Sequence, residues 1–198
     1  MKKLFVFVLL PLFLLSGCSG FLYTNLPPVE FQNIDYGFST KTVLSNPSIS
    51  FIDVGSGDKT IVLVHGLAGN AGFWRYVIPE LSKNYRVIAI DLPGYGKSQK
   101  GAYPYSMTFY ADQIKRLADE LKLDKFILVG HSMGGQIGIT FSLKYPKSLE
   151  RLVLASPAGV EEFEQGEGDW LRSVITKSGV KKTTEEGIRR NLAMNFYS

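Results

Sequence analysis

The sequence predicts an α/β fold: a mostly parallel sheet with helices on both of its faces. Short apolar runs, typical of strands buried on both faces of a sheet, alternate along the chain with segments of helical periodicity. Glycine-rich or polar turns follow several of these runs. In a parallel sheet such turns meet at the carboxyl ends of the strands, where sites are usually found. We therefore expect the functional site at that edge.

Five segments have strand character. Segment 48–54 alternates small or polar residues with apolar ones and ends at a turn. Segment 60–64 is continuously apolar, which predicts a central strand. The other predicted strands are 86–90, 126–129 and 151–155.

Three helices are expected between these strands. A short one is predicted over 73–81. A longer one is predicted over 106–121, because its apolar residues recur three and four positions apart on one face. The third begins directly after Ser132, where small residues continue the chain.

Residues 1–17 have the pattern of an export signal. Two lysines precede an apolar stretch that is shorter than the about 20 residues needed to cross a bilayer. The sequence Leu-Ser-Gly-Cys that ends at Cys18 resembles the lipobox of bacterial lipoproteins. The resemblance implies cleavage before Cys18, lipid attachment to it and a membrane tether in the cell envelope. Ser19 favours the outer membrane if the source is a diderm; an uncleaved anchor or a plain secretory signal is the alternative.

Composition divides residues 18–198 into three segments. Residues 18–47 are polar and aromatic and are interrupted by three prolines, which predicts a tether and an irregular approach to the core. Residues 48–159 hold the alternating strands and helices of the core. Residues 160–198 are polar, charged and helix-prone.

Composition excludes several function classes. The formal net charge is +4, and two of the lysines lie in the export signal, so no nucleic-acid partner is implied. A single cysteine leaves no internal disulfide. We expect neither a cofactor nor a metal ion.

The centre of the sequence is a G-x-S-x-G pattern formed by Gly130, Ser132 and Gly134. It follows the apolar run 126–129 and opens a helix. Glycines on both sides allow the chain to reverse without collision, which presents Ser132 at the apex. The amide of Met133, at the positive end of the helix, is free to donate to an oxygen that gains negative charge. An ordinary glycine-rich turn of a doubly wound sheet is the alternative.

Two further motifs follow predicted strands: HGLAG at 65–69 and DLPGYGKS at 91–98. With GHSMGG at 130–135, the three motifs in this order resemble the α/β-hydrolase family, specifically its lipase and esterase branch. The resemblance covers about 48–159. It implies an α/β-hydrolase fold and hydrolysis of a small-molecule ester or lipid.

The resemblance also implies individual roles. Ser132 is the nucleophile, and the amides of Leu67 and Met133 form the oxyanion hole. Asp91 is structural. Dehalogenase and epoxide-hydrolase chemistry is disfavoured, because those relatives need an aspartate where Ser132 stands. The supporting positions of the loop and the turn are His65, Gly66, Gly130 and Gly134.

The catalytic triad is incomplete in this sequence. A serine hydroxyl needs a histidine to remove its proton and a carboxylate to orient that histidine, and in this family both follow the serine. No histidine follows Ser132. We expect that 160–198 is part of a cap or lid and that the acid and the base lie beyond it. Glu161, Glu162 and Asp169 are candidate acids, although solvated surface is the ordinary role of such residues in a cap.

The remaining motif residues have simpler interpretations. His65 could be a metal ligand or a base, but without a nearby cluster of Cys, His or acidic residues it is better explained as a side chain that fixes its loop. His131 precedes Ser132, so its side chain should leave the turn in another direction. Residues 96–98 match the end of a phosphate-binding loop, but Asp91 replaces its first glycine and would repel phosphate.

Three functions remain open. The first is a membrane-tethered serine hydrolase of carboxylic esters, inactive as this 198-residue chain. The second is a non-catalytic α/β binding module. The third is a hydrolase of the same fold with different chemistry, such as carbon–carbon bond hydrolysis or cofactor-free peroxidation.

Overall fold

The computed structural model describes residues 30–160 and Gly166. Six strands form one sheet in the order β1-β2-β4-β3-β5-β6. The pairs β1/β2 and β2/β4 are antiparallel, and the other three pairs are parallel. The strands are β1 (Thr40–Val43), β2 (Ile49–Val54), β3 (Thr60–Val64), β4 (Arg86–Ile90), β5 (Phe126–His131) and β6 (Leu149–Ala155). The helices are α1 (Ile78–Leu81), α2 (Met107–Glu120) and α3 (Met133–Lys144), with 3₁₀ turns at Phe31–Asn33, Ala71–Trp74 and Pro146–Ser148.

The predicted α/β class is confirmed. The bounds of β3 and β4 agree with the prediction at both ends, and β2, β5 and β6 differ from it by one to two residues. Helix α2 begins after Ser106, whose hydroxyl accepts a hydrogen bond from the amide of Phe109 at 3.1 Å. This cap satisfies one of the free amides of the first turn and sets where the helix starts.

The single helix predicted over 73–81 is wrong. The structure divides this stretch into the 3₁₀ turn Ala71–Trp74 and the short helix α1. Pro79 explains the division: it lacks an amide hydrogen, and its ring would clash with a carbonyl one turn earlier in a continuous helix. In α1 it lies in the first turn, where proline is tolerated.

The irregular approach predicted for 18–47 is wrong for its last part. Strand β1 pairs with β2 in this stretch, and Tyr36 is 1% exposed within the core. Strand β1 gave little sequence signal because it is short and its two central residues are exposed, as suits the edge of a sheet. Residues 1–29 lie outside the described part of the chain, so the signal peptide and Cys18 are untested.

Apolar side chains fill both faces of the sheet. On one face, core residues of the strands contact α2 and α3; on the other they pack around Tyr36, Trp74 and Ile78. Neighbours alternate between the faces, as with Ile88 and Ala89 of β4. Burial on both faces explains why the central strands are apolar throughout. Among residues 30–160, no helix has the length and apolar character needed to span a bilayer.

Candidate active site

Ser132 has an unusual backbone conformation between β5 and α3. Its φ is 52° and its ψ is −119°, a region that costs a non-glycine residue on the order of 1–3 kcal/mol. Surrounding hydrogen bonds hold it there. Its amide donates to the carbonyl of Ala155 at 3.1 Å, and its own carbonyl accepts from the amides of Gly135, Gln136 and Ala158. The turn is therefore fixed from both α3 and the end of β6.

The flanking glycines are required by close approach. A Cβ atom on Gly130 would lie 2.2 Å from the carbonyl oxygen of Gly134, and one on Gly134 would lie 2.3 Å from the carbonyl oxygen of Val64. The next glycine, Gly135, has the same constraint, because its Cβ would lie 2.6 Å from Cβ of Pro157. These distances support the prediction that glycine lets strand and helix meet without collision.

The loop after β3, residues 65–72, lies against Ser132; we call it the β3 loop. A Cβ on Gly66 would lie 3.1 Å from Cβ of Ser132. Leu67 follows this contact, so the loop brings it to the neighbourhood of the serine. Met133 is the first residue of α3, so no helix carbonyl one turn earlier can accept a hydrogen bond from its amide. The two amides that the sequence predicts as oxyanion donors therefore belong to two elements that both approach Ser132, the β3 loop and α3.

His65 has both ring nitrogens engaged in the core. Its Nε2 lies 3.2 Å from the amide of Leu92, which can only donate, so Nε2 accepts and the ring hydrogen is on Nδ1. Nδ1 then donates to the carbonyl of Gly66 at 2.8 Å. Burial lowers the pKa of His65 below its ordinary value, against weaker opposing effects of Gly66 and Asp91. His65 is therefore a neutral side chain whose two hydrogen bonds join the start of the β3 loop to Leu92.

Asp91 is fully buried and accepts three hydrogen bonds. The donors are the amide of Ala71 at 2.7 Å, the amide of Lys97 at 2.8 Å and the hydroxyl of Tyr36 at 3.0 Å. Gly96 leaves room for this carboxylate, since a Cβ there would lie 2.3 Å from its Cγ. The segment that resembled a phosphate-binding loop is thus folded around a carboxylate. Sequence reasoning assigned Asp91 a structural role but missed Tyr36, which gave no local signal.

Comparison with known proteins agrees with this geometry. The family described as alpha/beta hydrolase fold matches residues 59–181, which is more than half of the chain. The chain belongs to the α/β-hydrolase fold family. The chain spans less than half the length of the curated relatives it matches.

Several relatives of this α/β hydrolase have hydrolytic functions. The 2-hydroxy-6-oxononadienedioate/2-hydroxy-6-oxononatrienedioate hydrolase of Escherichia coli K12 is 40% identical over 111 residues, 54% of this chain and 38% of that protein. The structure of a probable hydrolytic enzyme of Pseudomonas aeruginosa PAO1 has a TM-score of 0.65 at 33% identity, covering 81% of this chain and 55% of the other. Est816, an N-acyl homoserine lactone degrading enzyme, has a TM-score of 0.55 at 32% identity, covering 59% of this chain and 45% of the other.

The second histidine of this α/β hydrolase, His131, packs beside the turn. Its ring stacks on Phe73 with centroids 4.8 Å apart, and its Nδ1 is buried without a hydrogen-bond partner. The candidate acids Glu161, Glu162 and Asp169 lie outside the described residues. Within the described ranges, no three His, Cys, Asp or Glu side chains converge in a way that could hold a metal ion.

Proposed function

We propose that this α/β hydrolase is a serine hydrolase of carboxylic esters and that Ser132 is its nucleophile. The observation that carries the proposal is the strained backbone of Ser132 at the start of α3, with Gly66 of the β3 loop in contact with it. Strain of this kind persists where the surrounding structure maintains it, and it is concentrated at active sites. The position also faces the positive end of a helix.

The proposed reaction is acyl transfer to water. Ser132 Oγ attacks the ester carbonyl carbon while a base takes its proton, and the carbonyl oxygen gains the negative charge. The amides of Leu67 and Met133 stabilise that oxyanion. The intermediate collapses with cleavage of the bond to the alcohol oxygen, which leaves with the proton. Water then attacks the acyl-enzyme in the same way and releases the carboxylic acid.

We assign the base and the acid to a longer protein, in which the reading frame continues beyond residue 198. His65 is engaged at both nitrogens and His131 packs against Phe73, so neither is proposed as the base. The curated relatives are more than twice as long as their matched parts. Their additional length is enough for the strands that would carry an acid and then a histidine in this family order.

Ester substrates with an apolar part suit the surroundings of the β3 loop best. Four large apolar side chains between 67 and 77 are exposed, those of Leu67, Phe73, Tyr76 and Val77. Phe73 also stacks on His131, the residue before Ser132, so part of this apolar surface lies beside the proposed nucleophile. The degradation of a lactone, a cyclic ester, by the related Est816 supports ester chemistry.

Carbon–carbon bond hydrolysis is the second candidate. The Escherichia coli relative, at 40% identity, is a hydrolase of 2-hydroxy-6-oxo dienedioates, which are not esters. Ester hydrolysis and carbon–carbon bond hydrolysis could share the nucleophile Ser132, the oxyanion hole, or both. Assaying the longer protein on p-nitrophenyl esters and on a 2-hydroxy-6-oxo-dienoate separates them by kcat/KM.

We also propose that the protein is tethered to a membrane through lipid on Cys18. The support is the N-terminal sequence alone: two lysines, a short apolar stretch and the Leu-Ser-Gly-Cys motif. A tether would hold the enzyme in the cell envelope, close to lipid esters.

Ser132→Ala in the longer protein tests the nucleophile. We expect ester turnover to fall by roughly 10⁴-fold or more, because nothing replaces the attacking oxygen. Wild-type-like folding by circular dichroism is the control. Turnover within tenfold of wild type would refute the assignment.

A further inference from the structure

One buried carboxylate, that of Asp91, holds the β3 loop from the interior of the protein. Its Oδ1 accepts from the amide of Ala71, which belongs to the loop, at 2.7 Å. Its Oδ2 accepts from the Tyr36 hydroxyl at 3.0 Å and from the amide of Lys97 at 2.8 Å. A buried carboxylate must keep its donors, because unsatisfied lone pairs are costly away from water. The place of Asp91 is therefore set in part by Tyr36.

Tyr36 contacts the loop directly as well. A Cβ on Gly72 would lie 2.7 Å from ring carbon Cδ1 of Tyr36. The hydroxyl and the ring thus act on two adjacent loop residues, Ala71 and Gly72. Burial raises the pKa of the Tyr36 phenol, and the neighbouring Asp91 raises it further. The hydroxyl therefore remains a hydrogen-bond donor across the physiological pH range.

The other end of the loop depends on the residue next to Asp91. The amide of Leu92 donates to His65 Nε2 at 3.2 Å, and His65 Nδ1 donates to the carbonyl of Gly66 at 2.8 Å. A displacement of Asp91 would therefore shift the loop at two places. One is Ala71, which donates to Asp91, and the other is Gly66, through Leu92 and His65. Leu67 lies between these two points.

We propose that Tyr36 is a positioning residue for the oxyanion hole: its hydroxyl fixes Asp91, and Asp91 fixes both ends of the loop that carries the Leu67 amide. The inference rests on the proposed function, since that function assigns the Leu67 amide to the oxyanion. Tyr36 acts through Asp91 and contacts no substrate. A residue that precedes the first strand thereby tunes the geometry at the carboxyl edge of the sheet.

Tyr36→Phe removes the hydroxyl and keeps the ring against Gly72. Asp91 then loses one of three donors, and the loop is free to shift relative to Ser132. Oxyanion contacts form only as charge develops, so a misplaced donor lowers kcat and leaves KM nearly unchanged. Deleting an oxyanion donor costs about 10²–10³-fold in kcat. We expect a displaced donor to cost less, about tenfold.

The experiment measures kcat and KM of the longer protein with p-nitrophenyl butyrate. Tyr103→Phe is the matched control: it also loses one tyrosine hydroxyl, whose partner is Asn46 Oδ1 at 3.2 Å, outside the β3 loop. We expect its kcat to stay within twofold of wild type. Amide hydrogen exchange on the same longer protein gives a second readout that needs no turnover. Exchange at Ala71 should accelerate at least tenfold in Tyr36→Phe and not in Tyr103→Phe.

A Tyr36→Phe variant with wild-type kcat and unchanged amide exchange at Ala71 would overturn the proposal. An equal loss of kcat in Tyr36→Phe and Tyr103→Phe would also overturn it. If Tyr36→Phe fails to fold, Gly72→Ala replaces it, because its Cβ pushes against the Tyr36 ring. A lower kcat at unchanged KM then supports the proposal, and wild-type kcat overturns it. Ser132→Ala with full activity would instead refute the proposed function, and the exchange at Ala71 would still decide the role of Tyr36.

Discussion

Replacing Ser132 with glycine should stabilise the fold relative to replacing it with alanine. At φ 52° and ψ −119°, serine and alanine both carry the strain of a Cβ, whereas glycine does not. Relief of that strain is worth on the order of 1–3 kcal/mol. The extra backbone entropy that glycine loses on folding offsets about 0.5–1 kcal/mol of the gain. We therefore expect Ser132→Gly to be more stable than Ser132→Ala by about 1 kcal/mol.

Urea unfolding of the longer protein, followed by circular dichroism, measures the difference. With an m-value of about 2 kcal/mol/M, the midpoint of Ser132→Gly should lie about 0.5 M above that of Ser132→Ala. The matched pair is Ser142→Gly and Ser142→Ala, at a helical position inside α3. There glycine should be the less stable by about 1 kcal/mol. The same sign at both positions would show that Ser132 stores no strain.

Three further predictions concern stability, anchoring and the sheet edge. The pKa of His65 lies below its ordinary 6.5 in the folded state, so the unfolded state binds the extra proton and the free energy of unfolding should fall as the pH drops below about 6.5. In His65→Gln the urea midpoint should depend less on pH between pH 7 and 5 than in the wild type. The same pH dependence in both proteins would contradict this. Metabolic labelling with a fatty-acid analogue should tag the wild type and not Cys18→Ala; equal labelling would exclude lipid on Cys18. Residues 19–198 should be inactive on p-nitrophenyl butyrate and should self-associate through β6, where Val153 is 45% exposed. Light scattering should show less association for Val153→Lys, and a monomeric, active wild-type segment would disprove both expectations.

Local patterns in the sequence determined the central strands and the turn around Ser132. Strands β3 and β4 are buried on both faces, so each is a continuous apolar run with clear ends. The glycines beside Ser132 stand where no Cβ fits. This steric constraint fixes the residue type at those positions, so it can be predicted from the sequence. The motif order was sufficient to predict the family.

Tertiary structure decided the features that depend on distant partners. The sheet places β4 between β2 and β3, an order that no local periodicity contains. Tyr36 is buried because its hydroxyl reaches Asp91, 55 positions away, and the tautomer of His65 is set by Leu92, 27 positions away. Periodicity reports only which face of its own element a residue occupies. Which donor meets which acceptor across the sheet depends on how the elements pack, and this contact geometry holds the β3 loop against Ser132.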